Sequence, residues 1–381
     1  MMDIRDYETR HLISKGLSHI QNPFFSGMIE KQAFSLKGEI TPIGIAFYIA
    51  PYINATVRMG TQKEKMLLFE SMLEYKALDI IPSTKRGCKG QTETRVEQAC
   101  RTCNNVKSKQ TKARDEQLEK VEKIIQDQNL LDNKILAVRL EMHQSADKNL
   151  TGLIANQLMS KYQRPVLLLN EVVTEKKYKD QDGADILQIE TTWEGSGRGY
   201  DKSKFQNLRE FLKNSGLVLY ADGHANALGV GITDELFDIF VEYSNNELQD
   251  MDFTPCYNVD FIFNGGEFKG KDIIDIASMK EYWGQNMDEP YVAIENITVA
   301  NENITLMSAD KNPTLKIILP NGTSLIKFKS SKEEYESLHS EYGSTTLTVI
   351  GRCEMNAWNG VITPQILVEA YEITGKVKYY F

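Results

Sequence analysis

The chain has 381 residues, enough for two or three hydrophobic cores, and its 41% hydrophobic and 25% charged residues are ordinary for a globular protein. That balance excludes a disordered chain, a collagen-like repeat and a polytopic membrane protein. Lys plus Arg number 44 against 53 Asp plus Glu, a net charge of −9, so any nucleic-acid site must be a local basic stripe rather than the whole surface. Five cysteines make no disulfide framework, and the charged start Asp3-Ile4-Arg5-Asp6 has no apolar signal core. A reducing, cytoplasmic setting is the expectation.

Up to about residue 78 the chain is dense in apolar residues at helical spacing, as if feeding a larger core. Its most hydrophobic stretch, 40–57, is cut by Pro42 and Pro51 and reads as a buried helical segment rather than a bilayer span. Lys85, Arg86, Gly87 and Gly90 mark a basic loop. From residue 92 to about 128 there is neither Pro nor Gly, and Val96, Ala99, Cys103, Val106, Ala113, Val121 and Ile125 fall at helical spacing. The pattern predicts one helix of ~35 residues, ~50 Å long. Its first half carries Arg101, Lys107, Lys109, Lys112 and Arg114 with no acid between them. With Lys85, Arg86 and Lys89 these form a candidate stripe tracking a DNA backbone; an ordinary exposed face is the alternative.

Alternating elements follow. Strands are predicted at 135–138, 165–169 and 186–189, helices at 150–162 and 204–213, and a further apolar run at 217–219 leads into a glycine-bounded turn. This is an α/β pattern with at least partly parallel strands. From about residue 252 the signal is mostly β: strands at 257–263, 291–299, 314–319, 345–352 and 365–373, with helices at 271–282 and 331–340. Such a unit suggests a small barrel, with an OB-like barrel as first candidate.

Three short motifs carry candidate chemistry. Gly195-Ser196-Gly197-Arg198-Gly199 lies between a predicted strand and helix, where glycines admit a phosphate and Ser196 and Arg198 supply a hydroxyl and a guanidinium. Asp222-Gly223-His224 opens a second glycine-bounded turn. Asn54 and Arg58 form a polar pair closing the apolar run, in a setting expected to be buried. Cys100 and Cys103 form a CxxC without a second close pair, so they read as small apolar helix residues rather than zinc ligands. Asp180, Asp182 and Asp185 only faintly suggest a calcium loop, with no closing glutamate. Tyr282, Trp283 and Trp358 could stack on bases or sit in a core.

In this order the motifs resemble the RecJ family of single-stranded-DNA exonucleases in the DHH phosphoesterase superfamily. Asn54-Ala55-Thr56-Val57-Arg58 is similar to the family's NAAGR, Gly195 to Arg198 to its GSGR, and Asp222-Gly223-His224 to its GGH. Leu150-Thr151-Gly152-Leu153-Ile154-Ala155 with Arg164-Pro165 resembles the opening of the DHH-associated domain. Trp283-Gly284-Gln285-Asn286, Glu289-Pro290 and Asn356-Ala357-Trp358-Asn359-Gly360 resemble its OB-fold portion. Asp222 replaces a family glycine, Val57 another, and Gly199 a common serine.

The resemblance implies four segments: residues 1–90 as a helical remnant of the DHH-domain end, 91–130 as a connecting helix, 131–250 as the DHH-associated α/β domain and 251–381 as an OB-like β domain. It implies single-stranded DNA as partner, gripped by Asn54, Arg58, Ser196, Gly197, Arg198, Gly223, His224, Lys107, Lys109, Trp283 and Trp358, with His224 at the scissile phosphate. Family members cut with two metal ions, Mn2+ or Mg2+, held by aspartates and an Asp-His-His motif. None of the five histidines here adjoins another, so the chain is expected to bind no metal itself and to depend on a DHH domain upstream or on another polypeptide. The alternatives are a non-catalytic nucleic-acid scaffold and a small-nucleotide phosphodiesterase of the same superfamily.

Overall fold

The computed structural model describes residues 3–179, 185–309, 312–358 and 360–378. It is α/β plus β, in two compact units: one runs from Pro51 to Cys256, and the other joins the residues up to Ala50 to those from Tyr257 onward. The segment 1–90 therefore contributes to both.

The central unit opens with helix Ala50–Met59, whose Pro51 end marks the boundary, and helix Gln62–Met72. The hairpin β1 (Ile80–Pro82) and β2 (Thr92–Thr94) brackets the basic loop. The long helix then runs Arg95–Asp127, 33 residues. A capping box starts it: the Glu97 N–H donates to Thr94 Oγ1 at 3.2 Å while the Thr94 N–H donates to Glu97 Oε2 at 2.8 Å. Val96, Ala99, Cys100, Cys103, Val106, Val121 and Ile125 form its buried stripe, so the CxxC packs as small apolar side chains.

A five-stranded sheet follows, built from β3 (Leu136–Leu140), β4 (Val166–Lys179), β5 (Asp185–Arg198), β6 (Tyr220–His224) and β7 (Ala227–Thr233) in the order β3-β4-β5-β7-β6. Only β3 and β4 are parallel; the other pairs are antiparallel. Alternation along the strands divides the core in two. Leu136, Val138, Val166 and Leu168 meet Val121 and Ile125 of the long helix and Ile154 and Leu158 of helix Thr151–Tyr162. Ala137, Leu167, Leu169, Trp193 and Val230 meet helices Leu208–Ser215 and Asp234–Glu247 on the other side. The tip of the β4–β5 hairpin, with Asp180 and Asp182 of the aspartate run, lies outside the described residues.

The second unit holds a seven-stranded sheet: β8 (Val259–Asn264), β9 (Tyr291–Ala300), β10 (Ile304–Met307), β11 (Thr314–Ile318), β12 (Ser324–Phe328), β13 (Gly343–Trp358) and β14 (Val361–Lys378) in the order β10-β11-β12-β14-β13-β9-β8. Strands β9 and β10 are joined by Asn301–Asn303 alone, yet stand sixth and first in the sheet. Laid flat, those positions are about 24 Å apart, while such a link reaches about 14 Å at most. The sheet must therefore curl, although no ladder closes it among the described residues. Its core includes Ile273, Val292, Ile294, Leu325, Leu347 and Ile366.

The residues up to Ala50 add short helices to this unit, anchored by the Ile4 N–H on the Gln285 carbonyl at 3.2 Å and by Lys37 on Glu354 at 3.4 Å. Here the expectation of a buried 40–57 segment fails. Phe24, Met28 and Ile49 are buried, but Phe34, Phe47 and Tyr48 are exposed, as are Asn54, Val57 and Arg58 in the central unit. Helices of four to ten residues that are apolar on more than one side cannot bury every side at once.

Candidate nucleic-acid interface

The glycine-rich Gly195–Arg198 stretch is no turn, contrary to the sequence expectation. It is the end of β5, paired to β4 through Leu168↔Ser196 and Val166↔Arg198 and to β7 through Ser196↔Gly229 and Arg198↔Ala227. Its glycines serve packing. A Cβ on Gly195 would lie 2.0 Å from the Leu168 carbonyl oxygen, and one on Gly197 would lie 3.2 Å from Leu167 Cδ2. With Gly195 and Gly197 on one face, Ser196 and Arg198 share the other, the side of helix Thr151–Tyr162.

That helix has no side-chain cap; in its first turn the Thr151 N–H donates to the Asp147 carbonyl at 3.1 Å and the Leu153 N–H to the Leu150 carbonyl at 2.9 Å. The hydroxyls of Thr151 and Ser196 are 3.0 Å apart. Gly152 leaves room for the guanidinium of Arg198: an added Cβ would sit 2.5 Å from Arg198 Nη2 and 3.5 Å from Ser196 Oγ. Arg198 Nη1 donates to the Gly197 carbonyl at 2.6 Å. Burial, and then the positive charge of Arg58, lower the Arg198 pKa, though a guanidinium remains charged. The fold thus sets Ser196 and Arg198 beside the start of helix Thr151–Tyr162, with Arg58 near enough for its charge to act on Arg198. An anion would relieve the repulsion between the two arginines.

Asp222-Gly223-His224 is likewise strand rather than turn: it ends β6, pairing Asp222↔Gly229, Gly223↔Leu228 and His224↔Ala227. Gly223 has φ +136°, and a Cβ there would meet the Ala227 carbonyl oxygen at 2.7 Å, so glycine is required. Its own carbonyl accepts from Arg209 Nη1 at 2.6 Å. Across β5, β7 and β6, Arg198, Ala227 and His224 form one row of the sheet face, and Ser196, Gly229 and Asp222 the next. His224 is exposed, and Asp222 is exposed with Lys213 Nζ 3.6 Å away. Gly199 has a structural reason too: its Cβ would strike Asn226 Oδ1 at 2.1 Å, and Asn226 is held by the Leu208 N–H at 3.2 Å and the Gln206 carbonyl at 2.9 Å.

The basic stripe is less free than its sequence implied. Arg101 is paired with Glu93 of β2, Arg114 with Asp115 at 2.6 Å, and Lys112 lies 3.8 Å from Glu116. An acid-free stretch of sequence is not acid-free in space, because a hairpin and the next helical turn supply carboxylates. Lys107 is half-buried, donates to Gln110 Oε1 at 3.0 Å, and has its pKa lowered by burial first and Arg114 second. Lys109 is exposed. Tyr52, Asn104, Lys107, Ser108, Thr111 and Lys112 line an open groove here, whose far end carries the carboxylates of Asp115, Glu116 and Glu119. In the other unit Trp283 is half-buried and Trp358 ends β13, paired with Val361.

No family model matches the chain. It is 32% identical over 376 residues to a SPbeta prophage-derived protein of Bacillus subtilis and to its counterpart in Bacillus phage SPbeta, both named as single-strand DNA-specific exonucleases. The match covers 97% of this chain and 61% of theirs. Its fold is similar to RecJ of Thermus thermophilus solved with Mn2+, at TM-score 0.64 and 15% identity, over 97% of this chain and 47% of that one. The same protein solved with Mg2+ gives 0.61 and 16%, over 97% and 50%. The fold is RecJ-like.

Divalent metal is therefore a property of the solved RecJ structures. Within this chain, no group of three His, Cys, Asp or Glu is placed to hold such an ion among the described residues. Asp222 and His224 point the same way from β6 but have no third donor beside them among the described residues. Sequence reasoning missed Thr151, Gly152, Asn226 and Arg209 as parts of the site. For Gly152 a signal existed, a glycine just inside a predicted helix, where it weakens the helix unless something approaches closely.

Proposed function

We propose that this chain grips single-stranded DNA as the C-terminal part of a RecJ-like 5′→3′ exonuclease, with hydrolysis supplied by a metal-binding DHH domain outside these residues. The convergence of Arg58, Ser196 and Arg198 at the uncapped start of helix Thr151–Tyr162 carries the reading. Two guanidiniums and a hydroxyl are what a phosphodiester oxygen needs. His224 stands in the Arg198 row at the strand edge, in position for the scissile phosphate, and Asn54 extends the same grip. Residues 131–250 are the DHH-associated domain in this reading. The curled sheet of the second unit is an OB-like barrel that holds more of the strand through Trp283 and Trp358, while Lys107 and Lys109 follow the backbone along the groove.

The test is a nuclease assay on this chain with 5′-labelled single-stranded DNA and Mn2+, beside a binding titration on the same sample. Binding without cleavage, lost in Arg198→Ala, is expected. Absence of both binding and cleavage refutes the reading.

A further inference from the structure

Two residues along the strands from Ser196, the character of the sheet face changes. The third row holds Glu194 on β5, Gly231 on β7 and Tyr220 on β6, paired Glu194↔Gly231 and Tyr220↔Gly231. The Tyr220 ring lies flat across Gly231: a Cβ there would be 2.4 Å from Tyr220 Cε1 and 3.0 Å from both Cδ1 and Cζ. Gly231 is buried beneath the ring, while Tyr220 keeps 37% of its surface exposed. The ring reaches over the glycine to β5, where its hydroxyl donates to Glu194 Oε2 at 3.2 Å. The other carboxylate oxygen accepts from Thr192 Oγ1 at 3.2 Å. An aromatic ring is therefore pinned at both ends, with one face on a glycine floor while the residue stays partly exposed.

Resting on the DNA reading above, we infer that Tyr220 is a stacking platform for a nucleobase of the bound strand. Two observations make the occupant a base rather than a phosphate. The carboxylates of Glu194 and Asp222 border the ring and repel a phosphodiester, whereas Arg198 and Ser196 attract one. The platform also lies four residues along β5 from Arg198, about 13 Å, within a few nucleotides of the phosphate grip on the same continuous face. A preset ring costs little entropy on binding and accepts any base by its π face. Burial, and then the Glu194 carboxylate, push the Tyr220 phenol up to about 12, so it stays protonated and keeps its tie across the working pH range.

The test uses the full chain and a set of single-stranded oligonucleotides in which one abasic residue is walked along the sequence, read by fluorescence anisotropy. The wild-type chain is expected to lose roughly 5- to 150-fold in affinity when the abasic residue falls at one particular position. Tyr220→Leu, which still covers Gly231, should bind intact DNA as weakly as that and show no dip at this position; Tyr220→Phe should keep the dip. Arg198→Ala should weaken every oligonucleotide alike and leave the dip in place. A Tyr220→Leu chain that keeps the dip, or a wild-type chain that binds with none, overturns the platform while leaving the DNA reading intact. A wild-type chain that does not bind at all overturns both.

Discussion

Gly152→Ala tests the site without altering any charge. Alanine at the second residue of helix Thr151–Tyr162 gains up to about 1 kcal/mol of helix propensity, so the fold should not suffer. Its methyl would stand 2.5 Å from Arg198 Nη2, well inside contact distance, and the flexible arginine rather than the backbone must move. Arg198 then leaves the position beside Ser196 set by its bond to the Gly197 carbonyl. Loss of one charge-assisted contact to a phosphate costs about 1.5–3 kcal/mol, or roughly 10- to 150-fold in Kd. Anisotropy titration with single-stranded DNA, beside thermal unfolding of the same sample, reads both effects. Unchanged or raised Tm with the predicted affinity loss is expected. If Gly152→Ala binds like wild type while Arg198→Ala does not, the idea that Gly152 positions the guanidinium is wrong.

Thr94→Ala removes the capping box that starts the long helix and should cost about 1 kcal/mol, seen as a lower urea midpoint with an unchanged slope. Arg101 holds the Glu93 carboxyl down at about 2, from 4.5. A group depressed on folding stabilises above its unfolded value and ceases to do so as pH falls through the folded one. Glu93→Gln should therefore lose stability relative to wild type at neutral pH, with the gap closing between pH 4.5 and 2 in an acid denaturation series. DNA affinity should fall steeply from about 50 to 200 mM salt; Lys109→Ala should reduce that slope by about 1 and Lys112→Ala by less, since Lys112 has Glu116 nearby.

The long helix was legible because its stripe repeats over many turns and Thr94 and Glu97 announce its start. Strands β3, β4 and β9 were legible from short apolar runs. The glycine motifs were found but misplaced: Gly195 and Gly197 looked like punctuation, yet their Cβ space is taken by Leu168 and Leu167 of the neighbouring strand. That demand comes from a sheet partner some thirty residues away, so no local pattern carries it. The same holds for Arg101, whose partner Glu93 is near in sequence but belongs to the hairpin before the helix, and for Tyr220, whose role depends on Gly231 and Glu194. Apolar density in the first segment was read as burial, whereas short helices expose Phe34 and Phe47. The kind of residue in the site was visible, and its company was not.

The unit that joins residues up to Ala50 to those from Tyr257 onward has its two pieces separated by the whole central unit. On a ribosome the central unit has every residue it needs once Cys256 has emerged, and it can condense while synthesis continues. The first fifty residues have no such option. The anchors of Ile4 and Lys37, Gln285 and Glu354, are made hundreds of residues later, so the early helices lack them until that later part of the chain is made. Domains fold as units, generally in order of synthesis; here a segment made before the central unit finds its place after it.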